Sequence, residues 1–323
     1  MSETITARID STTAIPPTYL TDIVPPPTAC KIELTSRCQL RCQMCSLPGR
    51  DKQTNLEIDW DVYTRLIDEM ASVGIAEAGL FYLGESTTSP ALLTKAAKYA
   101  KRKIDYVFLT TNGVEMTPFL FGELAPYIDS LKFSVNASSE EQWKQITRTK
   151  PALWHKALDN LKACKKVRDA EGYSTRIYAS SILYDGEQRE RMDSLLKERV
   201  LPYVDEHYFL PLYSEMQSPQ AAQNAEKGWK VNAGNPGRVG ALRPALPCWA
   251  IFKEGHIRAD GGVSLCCFGA DDTWDCGNLN DSSFMAAWNS DKAKALRRKH
   301  LSGSVKGTVC ESCIHGSQEV KFV

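Results

Sequence analysis

Cys38, Cys42 and Cys45 lie close together in the stretch Cys38-Gln39-Leu40-Arg41-Cys42-Gln43-Met44-Cys45. Thiolates are soft ligands for zinc and for iron–sulfur clusters. Three are few for a disulfide framework and one short of a four-cysteine zinc site. A [4Fe–4S] cluster ordinarily takes four thiolates, so three protein ligands leave one iron open to an outside ligand. A structural zinc knuckle, or cysteines that bind nothing, are the competing readings of this triplet alone. A second group holds Cys248, Cys266, Cys267, Cys276, Cys310 and Cys313, closing in Cys310-Glu311-Ser312-Cys313. Four of its thiolates, Cys248, Cys266, Cys310 and Cys313, would saturate a cluster or a zinc ion, and sequence alone does not separate Cys266 from its neighbour Cys267.

The elements that must position these residues follow from periodicity. Strands are expected at 31–34, 78–83, 106–110, 130–135, 176–183 and 207–213, each followed by a helical pattern except the last. The helices fall at about 57–73, 89–102, 117–127, 139–147 with 151–170, and 187–200. Alternation of this kind implies βαβ units and a parallel sheet. The first strand runs into the cysteine loop. The next three end at Gly84-Glu85, Asn112-Gly113 and Asn136, the end of a strand where βα barrels and open α/β sheets place their sites. Residues 1–29 carry the proline clusters Pro16-Pro17 and Pro25-Pro26-Pro27, which oppose regular helix; they read as an N-terminal arm with a disordered tip, packing near Tyr19 to Val24. Residues 217–246 lack clear periodicity and read as a linker or lid. A hairpin around Asp260-Gly261-Gly262 and a helix over about 282–300 follow.

The Cys-x3-Cys-x2-Cys triplet resembles the radical S-adenosylmethionine (SAM) superfamily. That resemblance implies a partial (βα)6 TIM-like barrel of class α/β over 30–216. It implies that the iron left open binds SAM, which is reductively cleaved to a 5′-deoxyadenosyl radical. Gly84-Glu85 is similar to the end of the family's Gly-Gly-Glu motif, with Leu83 replacing its first glycine. Ser134 and Asn136 are similar to its polar pair near the ribose, Asn112-Gly113 to a turn after its third strand, and Met44 to an apolar position near adenine. These six residues, Met44, Gly84, Glu85, Asn112, Ser134 and Asn136, are therefore expected at the cofactor. The second cysteine group, with Gly277-Asn278-Leu279 and Ala287-Trp288-Asn289, resembles the small α+β SPASM or twitch domain, expected over 247–323. That domain holds an auxiliary [4Fe–4S] cluster on Cys248, Cys266, Cys310 and Cys313, beside Cys38, Cys42 and Cys45 on the first.

The implied reaction is hydrogen-atom abstraction from an unactivated C–H bond, leading to oxidation or epimerisation. Cys267 and Cys276 are the candidate hydrogen-atom donors. The roughly thirty residues before the first strand are too few for a winged-helix-like leader-binding domain, which favours a small polar substrate such as a sugar, aminocyclitol or nucleotide derivative. Modification of a ribosomal peptide is the second reading, and a non-enzymatic iron–sulfur or zinc scaffold is the alternative from another class. A flavodoxin- or ferredoxin-type electron donor is the implied partner. Lysine plus arginine equals aspartate plus glutamate, 39 of each, which excludes the basic excess of a nucleic-acid binder; Arg297-Arg298-Lys299 reads as a solvated helix end. The N-terminal residues Met1-Ser2-Glu3-Thr4 lack a signal peptide, and no apolar run spans a membrane. The expectation is cytoplasmic, where thiols stay reduced and cysteines serve metals or catalysis.

Overall fold

A computed structural model of the chain describes residues 4–45, 55–184, 186–211, 234–269 and 271–315. The chain opens with α1 (Ile5–Thr13), then β1 (Ala29–Ile32), α2 (Trp60–Val73), β2 (Glu77–Gly79), α3 (Pro90–Ala100) and β3 (Tyr106–Thr111). Next come α4 (Pro118–Leu124), β4 (Ser130–Ser134), α5 (Glu140–Thr147), α6 (Ala152–Glu171), β5 (Arg176–Ile182), α7 (Gly186–Leu195) and β6 (Glu206–Leu210). The C-terminal part holds α8 (Ala250–Lys253), β7 (Glu254–Ile257), β8 (Gly262–Ser264), β9 (Asp275–Asn278), α9 (Phe284–Trp288), α10 (Asp291–Leu301) and α11 (Glu311–His315).

One sheet runs β6-β5-β4-β3-β2-β1-β7-β8-β9. The first six strands are parallel, and β6 does not return to β1, so the barrel stays open. This is the expected partial (βα)6 arrangement. The hairpin also forms as expected, with Ile257 opposite Val263. Its first strand, however, pairs in parallel with β1, Lys31 beside His256. The boundary expected at 247 therefore does not interrupt the sheet: the C-terminal unit is stitched onto the strand that carries the first cysteines.

The third strand alternates between two environments. In β3, Val107, Leu109 and Thr111 are buried against the helices, while Tyr106, Phe108 and Thr110 are only half-buried. A purely parallel sheet buried on both faces reads as a continuous apolar run. Alternation here marks a second face that lines a partly polar bore. The helices bury matching apolar stripes; Val62, Tyr63, Leu66, Ile67 and Met70 of α2 all face the core. Asp59 starts that helix by accepting hydrogen bonds from the Asp61 and Val62 amides at 2.9 and 3.0 Å.

Four expectations are corrected. Residues 5–13, expected in an irregular arm, form α1, because the prolines lie beyond it and Thr4 caps it through the Ala7 amide. Glu206 supplies the anchor: its carboxylate accepts from the Ile5 and Thr6 amides at 2.7 and 3.1 Å. The expected packing near Tyr19 to Val24 does form, with Asn289 bonding both Val24 backbone groups. Strands 1 and 2 end earlier than expected, at Ile32 and Gly79, because the chain leaves the ladder early to build the site loops. The helix expected over 282–300 is two helices, broken at Asn289-Ser290, where Ser290 caps the second through the Ala293 amide. Arg297 is no solvated helix end; it is fully buried. Its Nε donates to the Ile251 carbonyl at 2.9 Å, and its guanidinium lies over the Trp288 ring. Residues 212–233 of the expected linker, with Tyr213 and Glu215, lie outside the described residues. The described remainder, 234–246, has neither helix nor strand.

Candidate active site

The loop after β1 is held from both sides. Ser36 donates its amide to the Leu56 carbonyl at 2.9 Å, and Gln43 donates its amide to Ile146 at 2.8 Å. Arg41 donates to Thr147 at 3.0 Å, and the Glu85 amide donates to Arg37 at 2.7 Å. Cys38, Cys42 and Cys45 are half-buried on this frame. Burial first, then the Glu85 carboxylate, pushes the Cys38 thiol up to about 12. A dry pocket of thiols ionises when a cation arrives to bind them. Among the described residues no three His, Cys, Asp or Glu side chains converge closely enough to hold a single ion. A zinc ion draws thiolates to ~2.3 Å from one centre, whereas a cubane cluster takes its thiolates on separate irons. Thiol donors of one kind on a fixed loop fit an iron–sulfur cluster.

Gly84 shows how tightly the next strand end is packed. A Cβ there would lie 1.9 Å from the Thr35 carbonyl oxygen, so only glycine lets the two loops meet. Its amide donates to the Glu33 carboxylate at 3.1 Å. Glu85 is buried and fully engaged within the protein. It accepts from Thr87 Oγ1 at 2.7 Å, Thr111 Oγ1 at 2.9 Å and the Asn112 amide at 2.8 Å. Burial raises its pKa despite these donors. The Asn112 it accepts from has its Nδ2 4.0 Å from Cys38 Sγ, and its Oδ1 accepts from Gln39 at 3.2 Å. Asn112, Ser134 and Asn136 line one small cavity at the ends of β3 and β4. Met44 is half-buried against the core. Tyr184, not singled out by sequence, donates to the Asn136 carbonyl at 2.6 Å, and burial together with nearby Cys42 raises its phenol pKa.

The second cysteine group gathers around another cavity, lined by Cys248, Cys266, Cys267, Cys310 and Cys313 with His300. Burial pushes the Cys248 thiol up to about 12, with Cys267 the next cause and Cys313 also contributing. His300 accepts from the Cys248 amide at 3.2 Å, and burial holds its pKa down to about 4. Five thiols for one four-ligand cluster leave one over. Cys266 faces this cavity, and its sulfur accepts from the Phe268 amide at 3.3 Å. Cys267 lines this cavity and also the barrel bore, with Asn235 Nδ2 3.4 Å from its sulfur. Cys276, the other candidate hydrogen-atom donor, is buried in the core and donates to the Val263 carbonyl at 3.2 Å. Its place on β9 turns it toward the packing side. Cys30 and Cys164 are core, as expected.

The bore itself is a cavity of ≈ 260 Å³. Its floor is α1: Arg8 pairs with Glu77 at 2.6 Å and lies over the Tyr106 ring. Its walls include Lys31, Phe81, Phe108, Lys132, Tyr178, Tyr208 and Glu254, and Cys267 reaches it from the second cysteine group. Lys31 pairs with Glu254 at 2.8 Å, and His256 Nε2 lies 2.9 Å from the same carboxylate. Burial disfavours the Glu254 charge, but Lys31 and His256 hold the pKa down to about 2. Sequence reasoning passed over these residues. The signal was present in Ser130-Leu131-Lys132-Phe133-Ser134, where a polar residue alternates with apolar ones inside a strand otherwise read as core.

The radical SAM superfamily model matches residues 32–199, and the SPASM model, an iron–sulfur cluster-binding domain, matches 248–314. The chain is 36% identical over 93 residues to the PqqA peptide cyclase of Methylorubrum extorquens (strain PA1), covering 29% of this chain and 24% of that protein. The matched segment thus spans about a quarter of that relative. Among solved structures, Streptococcus suis SuiB bound to S-adenosylmethionine superposes with TM-score 0.60 at 14% identity, covering 84% of this chain and 67% of that one. BtrN in complex with AdoMet and 2-DOIA superposes with TM-score 0.50 at 16% identity, covering 85% and 87%. With more than half its length matched and the thiol loop at the end of β1, the chain belongs to the radical SAM superfamily, with a SPASM domain for an auxiliary iron–sulfur cluster and with a [4Fe–4S] cluster and SAM as its cofactors.

Proposed function

We propose that the protein is a radical SAM oxidoreductase or epimerase acting on a small polar molecule held in the bore. The observation that carries this is the cavity of ≈ 260 Å³, floored by α1 and walled by charged and aromatic side chains. That volume lies just below the roughly 300–1,000 Å³ of small-molecule sites. When bound, the cluster and SAM supply a 5′-deoxyadenosyl radical for hydrogen abstraction from an unactivated C–H bond. Cys38, Cys42 and Cys45 hold the first cluster in this reading, and Cys248, Cys266, Cys310 and Cys313 the auxiliary one. Asn112, Ser134 and Asn136 offer polar groups to SAM, with Gly84 and Glu85 shaping the loops beneath them and Met44 supplying an apolar contact. Phe81, Phe108 and Tyr178 exclude water from the reacting carbon. Cys267 is the thiol at the bore wall, placed to return a hydrogen atom to a substrate radical, which gives epimerisation; the thiyl radical left behind would be restored to the thiol by one electron from the flavodoxin- or ferredoxin-type donor and one proton. Without that transfer the substrate radical would give one electron to the auxiliary cluster and lose a proton, which is oxidation. A cytoplasmic setting and a flavodoxin- or ferredoxin-type donor complete the proposal.

A second reading is peptide modification. The similarity to a protein named PqqA peptide cyclase favours it, as does the fold shared with SuiB, solved with its precursor peptide SuiA. One experiment separates the two. Reconstituted protein with SAM and reductant is offered the small-molecule or the peptide fraction of a cell extract in deuterated water. The proposal expects 5′-deoxyadenosine formation stimulated by the small-molecule fraction. It also expects a product that has either gained deuterium or lost two hydrogens. Stimulation by the peptide fraction alone contradicts it.

A further inference from the structure

The bore contains a charge that its own walls do not balance. Three cations line it, Arg8, Lys31 and Lys132, against two carboxylates, Glu77 and Glu254. Arg8 takes Glu77 and Lys31 takes Glu254. Lys132 is left over: among the described residues its Nζ makes no hydrogen bond and no ion pair. Burial first, then the Lys31 charge, pushes its ammonium down to about 7, and Glu254 only partly opposes this. Lys132 is half-buried and lines the cavity. Its register partner on β3, Thr110, lines the same cavity, and its hydroxyl also makes no hydrogen bond among the described residues.

We infer that Lys132 and Thr110 form a seat for an anionic oxygen group, so that the small molecule taken into the bore carries a carboxylate or a phosphate. This rests on the bore being the substrate site. A buried cation without a partner is costly. An anionic ligand removes that cost and gains a charge-assisted hydrogen bond from the ammonium and a second bond from the hydroxyl. The neighbouring cations do not compete, because each already holds a carboxylate. Tyr178, the register partner of Lys132 on β5, and Phe108 on β3 flank the seat with ring surface for the ligand's carbon skeleton.

The test is calorimetric titration of anaerobically reconstituted holoenzyme, with SAM present, against probes of matched size and different charge. Succinate, its neutral diamide and 1,4-diaminobutane form the series, with inorganic phosphate as the second anion. The seat binds succinate or phosphate and not the diamide or the diamine. Tighter binding of succinate marks a carboxylic acid, and tighter binding of phosphate a phosphate ester. Lys132→Met weakens anion binding roughly tenfold or more, Lys132→Arg retains part of it, and Thr110→Val gives a smaller loss. Iron content and the denaturation midpoint establish that each variant folds. Failure of both anions to bind, equal binding of the diamide, or an unchanged affinity in both Lys132→Met and Thr110→Val overturns the inference. The readout is independent of turnover, so an anion that binds to a chain unable to cleave SAM separates failure of the enzymatic reading from failure of the seat.

Discussion

At the scale of single residues, contact distances decide function more than residue type does. Gly84→Ala brings a methyl group against the Thr35 carbonyl. The loop carrying Cys38 then has to shift, and the expected result is loss of iron from the first site with a cost of roughly 1–3 kcal/mol. Iron per chain and the denaturation midpoint check it; full iron occupancy would show that the loops tolerate the methyl. His207 gives a pH signature. Its Nε2 sits 3.0 Å from Ser181 Oγ, and burial, with Arg189 next, lowers its pKa to about 4. A depressed folded pKa contributes stability above the unfolded value of ~6.5, and that stability is lost as pH falls toward about 4. On the order of 1–2 kcal/mol of that contribution is lost by pH 5, so His207→Gln should lessen the fall in stability between pH 7 and pH 5. An unchanged slope in urea titrations at the two pH values contradicts the assignment. Cys267 and Cys276, indistinguishable as sequence, separate by position alone: one lines the bore and the other the core.

At the scale of elements, α1 and β7 do the work that the sequence least revealed. The strand and helix alternation from β1 to β6 was legible because each element carries its own period. The thiol loops were legible because metal ligands of one kind at short spacing have few other uses. The docking of α1 was not legible, since it depends on Glu206 at the start of a strand some two hundred residues away. Nor was the pairing of β7 with β1, because a short strand such as Glu254–Ile257 carries no mark of its neighbour. The bore lysine was visible as a polar residue in an alternating strand, but its meaning depended on which faces the fold turned inward. Glu206→Gln tests the role of α1. The carboxylate meets the helix N-terminus and pairs with Arg176. Losing its charge should cost about 1–2 kcal/mol and speed amide exchange across Ile5–Thr13. Unchanged exchange there would mean that apolar contacts alone hold the floor of the bore.

At the scale of the whole molecule, the sheet joins the two cysteine groups. β1 delivers Cys38, Cys42 and Cys45 at one side, and β7 and β8, paired alongside it, lead to Cys266 and Cys267. Of the two thiol sets, Cys267 of the second lines the bore, and one continuous sheet carries both sets. One sheet thus carries the loop whose thiols would hold the SAM-binding cluster, the cavity, and the strands leading to the thiols that would hold the auxiliary cluster. The most direct test is anaerobic reconstitution of the parent and of the Cys38→Ala/Cys42→Ala/Cys45→Ala variant, followed by SAM and reductant. The parent should carry roughly eight irons and form 5′-deoxyadenosine, and the variant should keep roughly four and form none. Zinc in place of iron with no cleavage by the parent, or 5′-deoxyadenosine from the variant, would contradict the account.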